Sequence, residues 1–197
     1  MVLEKRDIYL SVFTLILTIF SYIYIDRVVA CKFYYMDRDT IKDFFHFITR
    51  FGKSEWYLIP SILLFWYFKS HNMRERAKRA IYIFWVNTVA GVGVVFIKFI
   101  FGRARPKMFF EESCYGFNWF EVSHKLTSFP SGHTITAFST AFAMGYIFPK
   151  YRYIFLITAL LIAFSRVIGT NHFVSDVIFS IYLGYIVAVV LYRRMFK

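Results

Sequence analysis

Acidic side chains are scarce in this chain, with 12 Asp and Glu against 24 Lys and Arg. No stretch gathers carboxylates into a cluster that would hold a magnesium ion, so oxygen-ligated metal chemistry lacks its donors. Polar surface is also in short supply. Charged residues are 18% of the sequence, hydrophobic ones 58% and aromatic ones 23%. A water-soluble fold of that composition could not cover itself. No Gly/Ser/Pro-rich linker divides the 197 residues, which leaves a single domain over 1–197. Internal repeats and low-complexity tracts are absent.

What fills the chain instead is a succession of apolar runs. Ile8 to Ile25 comes first, then Trp56 to Phe68, Ala80 to Phe101, Thr134 to Phe148, Tyr153 to Ser165 and Phe173 to Tyr192. The first follows Lys5 and Arg6, as the core of a secretory leader would. It is long, rich in tyrosine and β-branched residues, and lacks an Ala-x-Ala-like cleavage site, so it reads as a retained span. A full crossing needs about 20 residues, and the second and fifth runs are shorter. Their aromatic and cationic flanks can snorkel to the interface and complete them. Lipid offers no partner for free backbone groups, so every run is expected to be helical. The expected fold is all-α, a six-transmembrane-helix bundle.

The formal net charge of +12 raises the question of nucleic acid. The basic residues, however, sit in short clusters between apolar runs, as in a membrane protein facing anionic lipid. No nucleic-acid partner and no obligate protein partner is expected. Lys5 and Arg6, then Lys69 to Arg79, then Lys150 and Arg152, then Arg193, Arg194 and Lys197 alternate as six spans with both termini in the cytoplasm require. The raw Lys and Arg count ties between the faces, but the inner residues occupy much shorter segments. Between the first two spans, Ile41, Phe44, Phe45 and Ile48 share one helical side, and Lys42, Asp43, His46, Thr49 and Arg50 share the other; Phe47 breaks the pattern. A short amphipathic helix in the outer interface and a plug packed on the bundle both fit this spacing. Cys31 and Cys114 fall in expected outer loops, as a disulfide between them or as two free thiols.

Ionisable groups at helix ends in a membrane are costly, so their placement is informative. Lys98 interrupts the end of the third span, followed by Gly102 to Pro106. Phe129 to His133 opens the fourth. The fifth ends at Ser165 and Arg166, and His172 and Asp176 open the sixth. Counting six spans brings all three clusters out on the same, outer face. Singly, each has a bland reading: a cation near a span end is an anchor, a histidine a satisfied polar group, Pro-Ser-Gly a turn. Converging, they make a phosphate site. Lys98, Arg105 and Arg166 supply cationic donors, the arginines in bidentate geometry. Pro130 suits the first turn of a helix, which leaves the N–H groups of Ser131 and Gly132 for an oxyanion. His172 and Asp176 share a helical face, so the carboxylate can hold one ring nitrogen and leave the other as nucleophile. His133, from another helix, is placed to protonate a leaving oxygen. Arg103 and Asn171 lie beside these groups and receive no role.

Lys98 to Pro106 reads Lys-x6-Arg-Pro, Pro130 to His133 reads Pro-Ser-Gly-His, and Ser165 to Asp176 reads Ser-Arg-x5-His-x3-Asp. These three stretches, spanning 98 to 176, resemble the three signature motifs of the type 2 phosphatidic-acid-phosphatase (PAP2) superfamily, with no departure at a signature position. The resemblance implies a bacterial inner-membrane lipid phosphatase with its site on the periplasmic face. In it His172 forms a phosphohistidine, Asp176 orients it, His133 is general acid, and Lys98, Arg105, Ser131, Gly132 and Arg166 hold the phosphate. It implies neither metal nor other cofactor. Vanadium-dependent haloperoxidases share these motifs but are soluble, which this composition opposes.

The leading expectation is hydrolysis of a phosphomonoester or pyrophosphate on a lipid headgroup. An outer loop bearing Phe109, Phe110, Tyr115, Phe117, Trp119 and Phe120 suits the headgroup layer. Among family members the chain looks most like lipid A 1-phosphatases, with breadth for phosphatidylglycerophosphate and undecaprenyl pyrophosphate. A phosphotransferase passing the phosphate to another lipid, and a non-catalytic lipid-phosphate binder, are the alternatives. Intact His172, Asp176 and His133 weigh against the binder, which needs only the cations. The charge pattern makes a topological prediction. Neutralising Lys69, Arg74, Arg76, Lys78 and Arg79 together is expected to scramble orientation, read by the accessibility of terminal tags in sealed vesicles. An unchanged orientation would remove the charge argument for sidedness.

Overall fold

The computed structural model describes residues 4–35, 39–120 and 122–197, and of residues 39–42 the backbone alone. Among the described residues the named elements are all helical, as expected. Helix α1 (Lys5–Phe20) runs through a π-helical turn (Ser21–Ile25) directly into α2 (Asp26–Tyr34). Then follow α3 (Asp39–Arg50), α4 (Glu55–Ser70), α5 (Arg74–Phe101), α6 (Pro106–Glu112), α7 (Gly132–Ile147), α8 (Arg152–Ile168) and α9 (Val174–Phe196). The first helical stretch therefore continues nine residues past the apolar run, to Tyr34. Asp26 does not stop it, because its carboxylate is paired inside the protein and never meets lipid. Cys31 consequently lies on a helix rather than in a loop, and both Cys31 and Cys114 are unpaired.

Among the described residues, four helical stretches are long and apolar enough to cross a membrane: Lys5–Tyr34, Arg74–Phe101, Pro149–Ile168 and Val174–Phe196. Helices α4 and α7 have 16 residues each, about 24 Å at 1.5 Å per residue. The burial pattern is that of a protein dissolved in lipid. Large apolar side chains point outward from α1, α4 and α8, among them Ile16, Leu63 and Ile157. The interior is built from small and polar residues, which let helices approach closely where no aqueous hydrophobic effect drives them together.

Helix α7 is the hub, flanked by α5, α8 and α9. Ala137, Phe138 and Ala141 pack on Ala159, Ile162 and Ala163 of α8 and Val177 of α9. Ala143 joins Tyr82, Val86 and Ala188. Buried polar groups in these seams are satisfied: the Tyr82 hydroxyl donates to the Ala188 carbonyl at 2.8 Å, and the Thr140 hydroxyl to Asn87 Oδ1 at 3.0 Å. At one end of α9, Arg193 bonds Asp7 at 2.5 Å and Glu4 at 2.9 Å, and the Tyr185 hydroxyl donates to Asp7 at 2.8 Å. Both ends of the chain thus meet at one end of the bundle. Asp176 stands at the other end of α9.

Helices α7 and α9 approach closely at Gly184, where an added Cβ would lie 2.8 Å from the Ser139 nitrogen and 3.2 Å from the Phe138 carbonyl carbon. Gly184→Val is expected to force the helices apart and cost about 1–3 kcal/mol, measured as a lower melting temperature in detergent. Gly91→Ala, whose Cβ meets nothing within 4 Å, is the control and should be neutral or stabilising.

Candidate active site

Helix α5 ends because Gly102 adopts the left-handed conformation (φ 49°, ψ 43°), with its N–H on the Lys98 carbonyl at 2.9 Å. The turn drives the next residues inward. The segment from Arg103 is clamped by loop backbone: Ala104 N–H to the Gly116 carbonyl at 3.1 Å, Arg105 N–H to Lys125 at 3.0 Å, and Ser128 N–H back to Arg103 at 2.8 Å. The Lys98 ammonium donates to the Thr127 carbonyl, and Arg105 Nε to the His124 carbonyl at 2.8 Å. A closed loop therefore orients two expected phosphate ligands through neutral carbonyl oxygens.

The third comes from the end of α8. Arg166 is largely buried, its Nη1 donates to Thr49 Oγ1 on α3 at 2.7 Å, and its Nε has no partner among the described residues. Polar residues of α3 thus face the site, with Asp43, His46 and Thr49 lining a cavity of about 570 Å³ together with Arg166 and Asn171, although Phe45, from the expected apolar side, lines it too. Phe44 and Phe47 are exposed on the other side. Of the residues assigned to the two sides in sequence, the side chains of Ile41 and Lys42 lie outside the described residues. Asn171 keeps to its own turn, donating to the Gly169 carbonyl at 3.0 Å.

His172 is buried in the turn before α9. Its Nδ1 lies 3.5 Å from Asp176 Oδ2 and 3.5 Å from Ser128 Oγ. Asp176 Oδ2 also accepts the Ser128 hydroxyl at 2.6 Å and the Phe173 N–H at 2.9 Å, which fixes the carboxylate on the side of the His172 ring. Burial holds the His172 imidazole well below its ordinary pKa, Asp176 opposes the shift, and the charges of Lys98 and Arg166 reinforce it. The ring is therefore neutral at physiological pH. His124 is likewise pushed down, first by Arg105, then by burial, Lys98 and Arg166. Three cations thus act on one small region, and none of the three has an ion-pair partner among the described residues.

The Pro130 region differs from the expectation. Pro130 precedes α7 rather than lying in its first turn, and Ser131 is the N-cap, with no side-chain cap bond. The Ser131 N–H is not free for an oxyanion, because it donates to Ser180 Oγ at 2.8 Å. The open donors of the helix start are those of Gly132, His133 and Thr134, the first-turn groups without an intrahelical acceptor. His133 lines a separate cavity of about 370 Å³ with Gly52, Lys53, Glu55, Gly132 and Thr136. No hydrogen bond joins it to His172. Gly52 presses so closely that a Cβ there would lie 2.8 Å from His133 Cβ.

Sequence reading missed Arg103 and Asp26. Arg103 Nη1 donates to Asp176 Oδ1 and, at 2.7 Å, to Ser175 Oγ; its Nη2 donates to Asp26 Oδ2 at 2.7 Å. The only sequence signal was an aspartate closing the first apolar run and a second arginine beside the motif. Tyr115 and Phe117, expected in the headgroup layer, turn inward onto the Arg103 guanidinium at 5.7 and 5.5 Å, while Trp119 and Phe120 stay exposed. Among the described residues no three His, Cys, Asp or Glu side chains converge to hold a metal ion.

The PAP2 superfamily profile matches residues 79–197. Over 157 residues the chain is 34% identical to a lipid A 1-phosphatase of Rhizobium etli, covering 73% of this chain and 67% of that one. It is also 34% identical over 157 residues to a lipid A 1-phosphatase of Rhizobium johnstonii, covering 64% of that protein. In fold it resembles the crystal structure of Aquifex aeolicus LpxE, with a TM-score of 0.66 and 24% identity over 85% of this chain and 94% of that chain. It also resembles a transmembrane PAP2-type phosphatidylglycerolphosphate phosphatase from Bacillus subtilis, with a TM-score of 0.65 and 18% identity over 98% of each chain.

Arg166→Ala is expected to lower phosphate release by about a hundredfold or more while leaving membrane insertion and melting temperature intact. Arg166→Lys, which keeps the charge but not the fork, should fall between. Full activity in Arg166→Ala would remove this residue from the phosphate pocket.

Proposed function

The chain belongs to the PAP2 superfamily, and we propose that it is a membrane lipid phosphatase that removes a phosphomonoester from a lipid headgroup, the 1-phosphate of lipid A foremost. The observation that carries this reading is a buried, neutral, carboxylate-oriented imidazole in the field of Lys98 and Arg166, with Arg105 beside them, and no carboxylate among the described residues pairs any of the three cations. Such a cluster is expensive in a membrane protein unless an anion completes it. The two Rhizobium relatives support the choice of lipid, and the cavity of about 570 Å³ beside Arg166 offers a bulky headgroup room.

In the proposed reaction His172 Nε2 attacks phosphorus as the phosphorus–oxygen bond to the lipid breaks, and His133 gives its proton to the departing oxygen. Water, giving a proton back to His133, then attacks phosphorus as the bond to His172 Nε2 breaks, which restores the imidazole and releases inorganic phosphate. Asp176 holds the Nδ1 side of the ring. Lys98, Arg105, Arg166 and the Gly132 N–H hold the phosphoryl oxygens, and Ser131 acts by seating that helix end rather than by donating its own N–H.

The same reading extends to topology. Asp7 and Arg193 bring the chain ends together, which requires an even number of crossings. With α4 and α7 counted as short spans, six result, with both termini cytoplasmic, the site periplasmic and α3 in the outer interface. Residues 1–197 act as one domain.

The test is phosphate release in detergent without added metal, wild type against His172→Ala, on lipid A, phosphatidylglycerophosphate, undecaprenyl pyrophosphate and phosphatidic acid. Release from lipid A that disappears in the variant is the expected result. Release confined to another lipid would replace the substrate. No release from any of them by a folded protein would overturn the hydrolase reading in favour of transfer or binding.

A further inference from the structure

The first helical stretch reaches the catalytic end of the molecule through one carboxylate, that of Asp26, which lies outside the 79–197 region that defines the family. We propose that Asp26 and Arg103 are positioning residues that hold Asp176, and through it His172, in the reactive geometry. The proposal rests on the reading of His172 as nucleophile and Asp176 as its orienter.

Arg103 is 1% exposed and spends both terminal nitrogens on protein, one on Asp176 and Ser175, the other on Asp26. It is therefore not a fourth phosphate cation, in contrast to Arg166, which has no carboxylate partner among the described residues. Four aromatic rings hold its plane: Phe173 at 4.5 Å, Tyr22 at 4.8 Å, Phe117 at 5.5 Å and Tyr115 at 5.7 Å. A guanidinium fixed on both forks and boxed by rings can transmit position.

Asp26 does more than balance the charge. Its Oδ1 accepts the Ser175 N–H at 2.9 Å, and its Oδ2 accepts the Ser175 hydroxyl at 2.5 Å. Ser175 stands in the first turn of α9, whose N-cap is Phe173, a residue with no side-chain oxygen to offer. The cap of that helix is thus supplied across the bundle by Asp26. Asp26 is itself set by the π-helical turn before it: the Ser21 hydroxyl donates to its Oδ1 at 3.2 Å, and the Tyr22 carbonyl is taken by the Tyr115 hydroxyl at 2.6 Å. Such one-turn bulges concentrate at functional sites. Asp176 is therefore anchored on both oxygens, by Arg103 on Oδ1 and by Ser128 and the Phe173 N–H on Oδ2.

The experiment uses the full chain in detergent, with lipid A as probe and phosphatidic acid in parallel. Asp26→Asn and Asp176→Asn are made singly and together, with Arg103→Lys as the conservative partner. Asp26→Asn is expected to lower kcat by about ten- to a hundredfold, with KM within about twofold, because no atom touching the lipid is changed. In the Asp176→Asn background the same change should cost little more, since what Asp26 positions is already gone. Arg103→Lys should recover part of the kcat that Arg103→Gln loses. An unchanged kcat, a loss carried by KM, or an equal loss in both backgrounds overturns the proposal. If Asp26→Asn does not fold, Ser175→Ala, which removes only the bridging hydroxyl, tests the same link through a smaller fall in kcat. Wild type and Asp26→Asn equally active with His172→Ala dead sinks this inference alone. Activity that survives in His172→Ala sinks the parent reading and this one with it.

Discussion

A guanidinium between two carboxylates, sealed from water and from lipid, is the interaction on which the catalytic end of this molecule depends. Asp26, Arg103 and Asp176 come from three separate parts of the chain, and each is buried almost completely. Desolvating such groups costs several kcal/mol apiece, and their mutual attraction recovers that only with good geometry and further hydrogen bonds. Both conditions hold here: the fork of Arg103 meets an oxygen of each carboxylate, and Ser175, Ser128 and Ser21 take up the remaining lone pairs. Leaving out any one member would strand the others. The first helix, the loop after α5 and the start of α9 are therefore obliged to meet at one point, and the turn carrying His172 is fixed as a by-product.

The opposite end of the bundle repeats the device more loosely. Asp7, Arg193, Glu4 and Tyr185 tie α1 to α9 near the chain termini. Between the two clusters the helical stretch from Asp7 to Asp26 spans roughly the 30 Å of a bilayer core. The first helix is thus held to the last at both ends, and the apolar length between needs no specific contact. It presents large side chains to lipid, such as Phe13 and Ile16, and few to the protein. Positional information resides in the polar ends and solubility in the apolar middle. The seams around α7 follow a different rule, close packing of Gly, Ala and Ser, because those helices must share a wall of the site.

Much of this was legible in the sequence, and the exceptions have a common cause. Apolar runs declare helices, and three separated motifs declare the phosphate chemistry, because each signal is local. The pairing of Asp26 with Arg103 spans 77 residues of sequence, and no periodicity records it. Alone, Asp26 reads as the polar end of a span and Arg103 as an interfacial anchor, which is the ordinary fate of such residues. Ser131 fails for a similar reason: its N–H belongs to a helix start, but Ser180, from another helix, reaches it first. Tyr115 and Phe117 have the composition of a headgroup belt, and only the inward turn after Gly102 shows that their rings serve Arg103.

The arginines and lysine of the site divide into two kinds by what neutralises them. Arg103 is matched by protein carboxylates and is fixed. Lys98, Arg105 and Arg166 are tethered instead by neutral oxygens, those of Thr127, His124 and Thr49. A carbonyl or hydroxyl orients a cation without cancelling its charge, so the field of all three would be available to the phosphoryl group of the proposed reaction. Had carboxylates done the tethering, each would have to be displaced, or its repulsion overcome, on every turnover. The scarcity of acidic residues in the chain acquires a mechanistic sense at this point. The two carboxylates at the centre, Asp26 and Asp176, are both engaged by Arg103, so neither is ion-paired with the three tethered cations that the phosphate would meet in the proposed reaction.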